Sequence, residues 1–213
     1  MTIAFQDYLR KIMTKTIAIV SRKGGVGKST ICSNLAVLAV NATVLDCDDQ
    51  ATLADWGDRR SQLYPQVISI AAKRAASYLQ TTKTEWNFID TPGTLDGGVI
   101  EVMKASDFVL VVLRYGQFEL DSVSTTLSAI QVTGKPAAIV LNHIHPNTKA
   151  SELIHDLEAA ELGIPIAPIA IRLRTDFQNA AVQGMGVAEL SKSSKASQEI
   201  MQLWQWLQQA INP

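Results

Sequence analysis

Ser21-Arg22-Lys23-Gly24-Gly25-Val26-Gly27-Lys28-Ser29-Thr30 carries the phosphate-cradle pattern G-x-x-x-x-G-K-S/T in compressed form, with an additional lysine at Lys23. Glycines let backbone N–H groups approach phosphate oxygens with no Cβ in the way. The helix that follows adds the positive end of its dipole. In such a loop Lys28 reaches the β- and γ-phosphates and the Ser29 hydroxyl ligates Mg²⁺. The flanks agree with this. Thr16-Ile17-Ala18-Ile19-Val20 is a short apolar, β-rich run, and Thr30 to Val40 places Ile31, Leu35, Leu38 and Ala39 at helical spacing. A strand, a glycine loop and a helix form the arrangement that triphosphate binding requires.

Working outward, strand-like and helix-like runs alternate along the chain. Expected strands are Thr16–Ser21, Thr43–Cys47, Val67–Ile70, Trp86–Asp90, Phe108–Leu113 and Ala137–Asn142, with a short Ile166–Ile169. Most are continuous apolar runs, as strands covered on both faces should be. Expected helices are Lys28–Val40, Ala51–Leu63, Ala71–Gln80, Gly98–Ala105, Asp121–Thr133, Ser151–Leu162, Asp176–Gln183 and Ser194–Ala210. The alternation predicts an α/β fold: a doubly wound, mainly parallel β-sheet flanked by helices on both faces. A ligand would sit at the carboxyl ends of its strands.

Composition narrows the class. With 213 residues, 47% hydrophobic and 18% charged, the chain reads as one ordinary globular domain over 13–213. The net charge of −1 does not indicate a strongly basic nucleic-acid binder, though it leaves room for a local basic patch. Cys32 and Cys47 lie in apolar segments and read as core residues of a cytoplasmic, reducing setting. No apolar run reaches the length of a membrane span. The start, Met1-Thr2-Ile3-Ala4-Phe5, lacks the basic lead and long apolar centre of a signal peptide. Met13 offers a second start, so residues 1–12 read as a short helical extension or the product of an upstream start.

Two further segments belong with the glycine loop. Val44-Leu45-Asp46-Cys47-Asp48-Asp49-Gln50 ends a buried strand in carboxylates. Strand alternation puts Asp46 and Asp48 on one face, at the rim where a γ-phosphate and a water would lie. Asn87-Phe88-Ile89-Asp90-Thr91-Pro92-Gly93 is an apolar strand ending in Asp. That Asp can hold a Mg²⁺-bound water, while the Pro-Gly turn brings an N–H towards the γ-phosphate.

Together these segments resemble the ParA/MinD family of deviant-Walker phosphate-loop ATPases. Lys23 to Thr30 match the family loop K-G-G-x-G-K-S/T. Asp46-Cys47-Asp48-Asp49-Gln50 matches D-x-D-P-Q, with Asp49 where proline is usual, and Asp90 to Gly93 match D-T-P-G. The likeness runs from about Lys15 to Leu207. It includes Ala54-Asp55-Trp56 with Arg59-Arg60, and Gly186-Val187-Ala188-Glu189, which resemble segments of small plasmid-partition ParA proteins.

The resemblance implies ATP and Mg²⁺ as cofactors. ATP would be held by Lys23, Gly24, Gly25, Val26, Gly27, Lys28, Ser29 and Thr30, with Asn142 at the adenine. Ser29, Asp48 and Asp90 would surround the metal. Lys23, Lys28 and Asp48 would serve hydrolysis, Lys23 by reaching the partner's phosphates across an ATP-dependent homodimer. It further implies non-specific DNA binding by the dimer, hence nucleoid association, through a basic surface of Arg172, Arg174, Lys192 and Lys195. A ParB-like or small adaptor protein would stimulate hydrolysis. Plasmid partition is the first expectation for cargo, and a protein assembly such as a carboxysome or chemoreceptor cluster is the alternative. A dethiobiotin-synthetase-like ligase is another, which Lys23 argues against. An electron-transfer ATPase would need cluster cysteines, and Cys32 and Cys47 are misplaced for that.

Two remaining signals point away from chemistry. His143 and His145 alternate on one strand without four suitable zinc ligands nearby. The last helix has Ile200, Leu203, Trp204, Leu207 and Ile211 on one side, and no Lys or Arg follows Lys195. Interfacial anchors want basic residues there, so the stripe is expected to dock on protein rather than membrane.

Overall fold

β-Branched and aliphatic runs build seven strands, and amphipathic segments between them build the helices. A computed structural model describes residues 14–212, with the backbone alone for 117–122; the expected extension over 1–12 lies outside the described residues. The strands are β1 (Lys15–Val20), β2 (Ala42–Asp46), β3 (Gln66–Ser69), β4 (Trp86–Asp90), β5 (Phe108–Arg114), β6 (Ala137–Ile144) and β7 (Ile166–Arg172). They form one sheet in the order β3-β2-β4-β1-β5-β6-β7, and every neighbouring pair is parallel. The described helices are α1 (Lys28–Leu38), α2 (Thr52–Asp58), α3 (Ala72–Leu79), α4 (Gly97–Ala105), α5 (Gln117–Thr133), α6 (Ala150–Ala159), α7 (Thr175–Val182), α8 (Val187–Leu190) and α9 (Lys195–Ile211).

Alternation along the strands divides the core in two. Ile17, Ile19, Val44, Phe88, Leu110, Val112 and Val140 face α1, α2, α7, α8 and α9. Ala18, Val20, Leu45, Ile89, Val109, Val111 and Ile139 face α3, α4, α5 and α6. Both sheet faces are therefore covered, which is why these strands read as unbroken apolar runs. Ile200, Leu203 and Leu207 of α9 are fully buried on the first face. The Trp204 ring meets the Trp86 ring edge-on at 4.6 Å. The apolar stripe of α9 is thus spent on the sheet, as its charge pattern indicated. Among the described residues no helix is long and apolar enough to cross a membrane.

Differences from the expected elements have local causes. The helix expected over Ala51–Leu63 ends at Asp58, because Arg60 turns inward and gives its guanidinium to the carbonyls of Gly184 and Tyr64. β7 runs to Arg172 rather than Ile169, paired with a longer β6 that reaches Ile144. The four-residue α8 is too short to leave a periodic signal in the sequence.

Candidate functional site

β1 stands between β4 and β5, where the chain's winding reverses, so the loop after β1 opens into the crevice at the strands' carboxyl ends. Gly25 and Gly27 turn this loop with φ of 73° and 93°. Both lie in the left-handed region that side chains disfavour. A Cβ on Gly27 would also collide with the Asn142 amide, whereas Cβ atoms on Gly24 and Gly25 would meet open space. The loop is therefore pinned from behind and open in front. α1 begins at Gly27 with no side-chain cap and no acidic residue in its first turn. Its first N–H groups are left for an anion to satisfy.

Lys28 is 6% exposed. Its Nζ donates to the Lys23 carbonyl across 3.5 Å, a long bond readily exchanged for a phosphate oxygen. Lys23 is exposed at the mouth of the loop. Ser29 Oγ donates to Asp90 Oδ2 at 2.5 Å. Asp90 is 1% exposed, and its other oxygen, Oδ1, is buried with no hydrogen-bond partner. The Asp90 carboxyl is pushed up to about 7. Burial is the main cause. The Ser29 hydroxyl and Lys28 oppose it, and Asp46 and Asp48 add to it. A hydroxyl beside a carboxylate with a spare buried oxygen is a donor set that suits Mg²⁺, which takes few protein oxygens and completes its shell with phosphates and water. No group of three or more His, Cys, Asp or Glu able to cage a metal occurs among the described residues.

The D-T-P-G turn is locked against the same loop. The Thr91 hydroxyl donates to the Ile19 carbonyl at 2.9 Å. A Cβ on Gly93 would stand 3.2 Å from the Gly24 nitrogen, so the two backbones are near contact.

Asp46 and Asp48 do not share a face. β2 ends at Asp46, so alternation stops there and Asp48 sits in the following turn. Asp46 is buried, and its Oδ2 accepts the N–H groups of Leu53 and Ala54, each at 2.9 Å. It caps α2 from beneath. Asp48 is half-buried and Asp49 exposed; Asp48 Oδ1 accepts the Gln50 N–H at 3.0 Å. Asp48 lies near enough to Asp90 to push its carboxyl upward, and it caps no helix.

Asn142 has a different placement from the adenine contact that resemblance implies. It is 1% exposed, and its Nδ2 donates to the Val26 carbonyl at 2.7 Å. It braces the phosphate loop from behind. The residues of the expected basic surface differ in exposure. Arg172 gives Nη1 to the carbonyls of His145, Pro146 and Thr148. Arg174 is paired with Glu199 of α9 at 2.6 Å. The Arg174 charge is matched by Glu199 and Arg172 is half-buried against the carbonyls, so of the four expected residues Lys192 and Lys195 are the ones that stand exposed. Sequence reasoning missed Asp46 as a cap and Asn34 of α1, whose Oδ1 accepts the Val187 N–H at 2.8 Å. Neither carries a local pattern, because both partners are distant in sequence or lie beyond a turn.

A profile of the CbiA family, the CobQ/CobB/MinD/ParA nucleotide-binding domain, matches residues 17–187. The chain belongs to this nucleotide-binding family. This MinD/ParA-type chain is 27% identical over 203 residues to the maintenance of carboxysome distribution protein A of Halothiobacillus neapolitanus, covering 88% of this chain and 94% of that protein. Its fold is shared with a protein of Borrelia burgdorferi B31 described as a plasmid partition protein, solved with AMPPNP. There the TM-score is 0.74 at 16% identity, covering 92% of this chain and 99% of that one. Cyanothece McdA in its ATP complex gives a TM-score of 0.73 at 16% identity, covering 94% and 97%.

Proposed function

We propose that this MinD/ParA-type chain is an ATP-hydrolysing switch that positions a protein assembly on DNA. The observation that carries the switch is the pinned, forward-open glycine loop, followed at once by the Ser29–Asp90 pair, with Asp48 near enough to act on the Asp90 charge. Backbone N–H groups of Gly24 to Ser29 and the Lys28 ammonium would hold the β- and γ-phosphates of ATP. Ser29 and Asp90 would hold Mg²⁺, which supplies charge neutralisation on the phosphate oxygens. Asp48 would orient and deprotonate the attacking water. Lys23 would extend from the loop's mouth to the nucleotide of a second copy, where excluded water makes an added cation valuable. An activating partner carried by the cargo would raise the hydrolysis rate and release the dimer.

The cargo reading rests on the Halothiobacillus relative, which spans nearly all of both chains. It favours a protein assembly over the plasmid that short-motif likeness placed first. The test is deletion of the gene in its host. The proposal expects fluorescently marked protein assemblies to lose their regular spacing while plasmid retention stays normal. Loss of a plasmid with unchanged spacing would make plasmid partition the answer.

DNA binding should require ATP, ignore base sequence and weaken steeply with salt, because each phosphate contact releases counterions. Lys192→Glu and Lys195→Glu should each flatten the salt slope by about one and leave folding intact. Arg174→Glu should instead lower thermal stability, since it sets like charges against Glu199. Filter binding across a salt series reads the first effect, and calorimetric melting the second. Unchanged affinity in both lysine variants would place the DNA surface elsewhere.

A further inference from the structure

Two segments singled out in the sequence have no part in the phosphate chemistry: Trp56 with Arg60, and Gly186 to Glu189. The structure joins them, across more than 120 residues, into one clasp. The Arg60 side chain is 3% exposed and meets Glu189 through both oxygens, at 3.0 and 2.9 Å. It also donates to the carbonyls of Gly184 and Tyr64 at 2.8 and 2.7 Å, and its guanidinium carbon lies 4.7 Å from the Trp56 ring centre. Trp56 Nε1 donates to the Met185 carbonyl at 3.2 Å. Glu189 in turn accepts the Gly186 N–H at 2.8 Å.

The far side of the same turn is fastened to α1. Asn34 accepts the Val187 N–H at 2.8 Å and donates to the Thr30 carbonyl at 2.8 Å, one helical turn from the glycine loop. Gly184 and Gly186 let the turn sit this close. A Cβ on Gly184 would come 2.6 Å from the Arg59 backbone, and one on Gly186 would come 3.1 Å from Val37.

These contacts close a ring. It runs from the glycine loop along α1 to Asn34, through the 184–189 turn to Arg60 and Trp56, then back along α2 to the Asp46 cap and the Asp48 turn. The two walls of the candidate nucleotide site are thereby tied behind the sheet's rim. Arg60 is enclosed while Glu189 is exposed, so the ion pair itself adds only modest stability. What it supplies is register.

We propose that Arg60, Glu189 and Asn34 are positioning residues that set the Asp48 turn relative to the phosphate loop and carry movement of one wall to the other. The proposal rests on the nucleotide-switch reading above and adds to it a route of coupling that touches neither phosphate nor metal. Hydrolysis should depend on the clasp far more than nucleotide affinity does, since none of the groups assigned to the phosphates belongs to it.

The test uses the full chain labelled with 5-fluorotryptophan. Its four tryptophans give four ¹⁹F signals, and Trp56→Phe assigns one of them. Saturating Mg-ATPγS, with binding followed by calorimetry, should move the Trp56 signal in the wild-type chain. In Arg60→Met the affinity should stay within about threefold, the Trp56 signal should no longer respond, and kcat should fall by about tenfold or more at unchanged KM. Glu189→Gln, which keeps one acceptor oxygen, should fall between. A Trp56 signal that ignores bound nucleotide in the wild-type chain overturns the coupling without any variant having to fold. So does wild-type turnover in a folded Arg60→Met. Absence of nucleotide binding by calorimetry would overturn the switch reading itself, and this inference with it.

Discussion

Lys28→Ala should lower ATP affinity by at least about a hundredfold, the size expected when a charge-assisted contact to two phosphates is removed from a water-poor site. The ammonium is nearly enclosed, and its bond to the Lys23 carbonyl is long. Without nucleotide the cost of burying this charge roughly offsets its attraction to Asp90 and its long bond, so its removal should change stability little. The variant should therefore melt close to the wild-type temperature in the absence of ATP and lose the rise that ATP confers on the wild-type chain. Calorimetric titration checks the affinity, and a calorimetric melt with and without ATP checks the stability. Near-normal affinity would mean that the glycine loop does not hold the triphosphate.

Asp48→Ala should bind Mg-ATP about as tightly as the wild-type chain and hydrolyse it about 10²- to 10⁴-fold more slowly, the range for loss of a general base. The carboxylate makes a local bond to Gln50, while the α2 start is held from beneath by Asp46. Removing Asp48 thus leaves its wall in place. Asp46→Ala is the contrasting variant. It strips the acceptor from two helix N–H groups and should destabilise the fold by about 1–3 kcal/mol. Single-turnover hydrolysis and thermal melts separate the two. Wild-type turnover in Asp48→Ala would pass the water-handling role to Asp49.

The sheet was legible because each buried strand is a local apolar run, and all seven expected strands are present, β4 with the expected ends and the others with an end shifted by up to three residues. The glycine loop was legible for the same reason: its chemistry is written in consecutive residues. What the sequence concealed was long-range. Asp46 and Asp48 look equivalent until the strand is known to end between them. Arg172 and Arg174 look like surface cations until Glu199 and three carbonyls are folded against them. Asn142 looks like a base contact, and is placed instead against the Val26 carbonyl, 116 residues away. No periodicity records such pairings, because each depends on which strands become neighbours.

ATP is expected to draw two copies together across the open face of the glycine loop. Sedimentation velocity of the slowly hydrolysing Asp48→Ala chain with Mg-ATP tests this most directly. The expected result is a dimer with ATP, a monomer with ADP, and a monomer with either nucleotide once Lys23→Ala is added, while calorimetry still registers ATP bound to each chain. A monomer with saturating ATP, or an undiminished ATP-dependent dimer lacking Lys23, would contradict it.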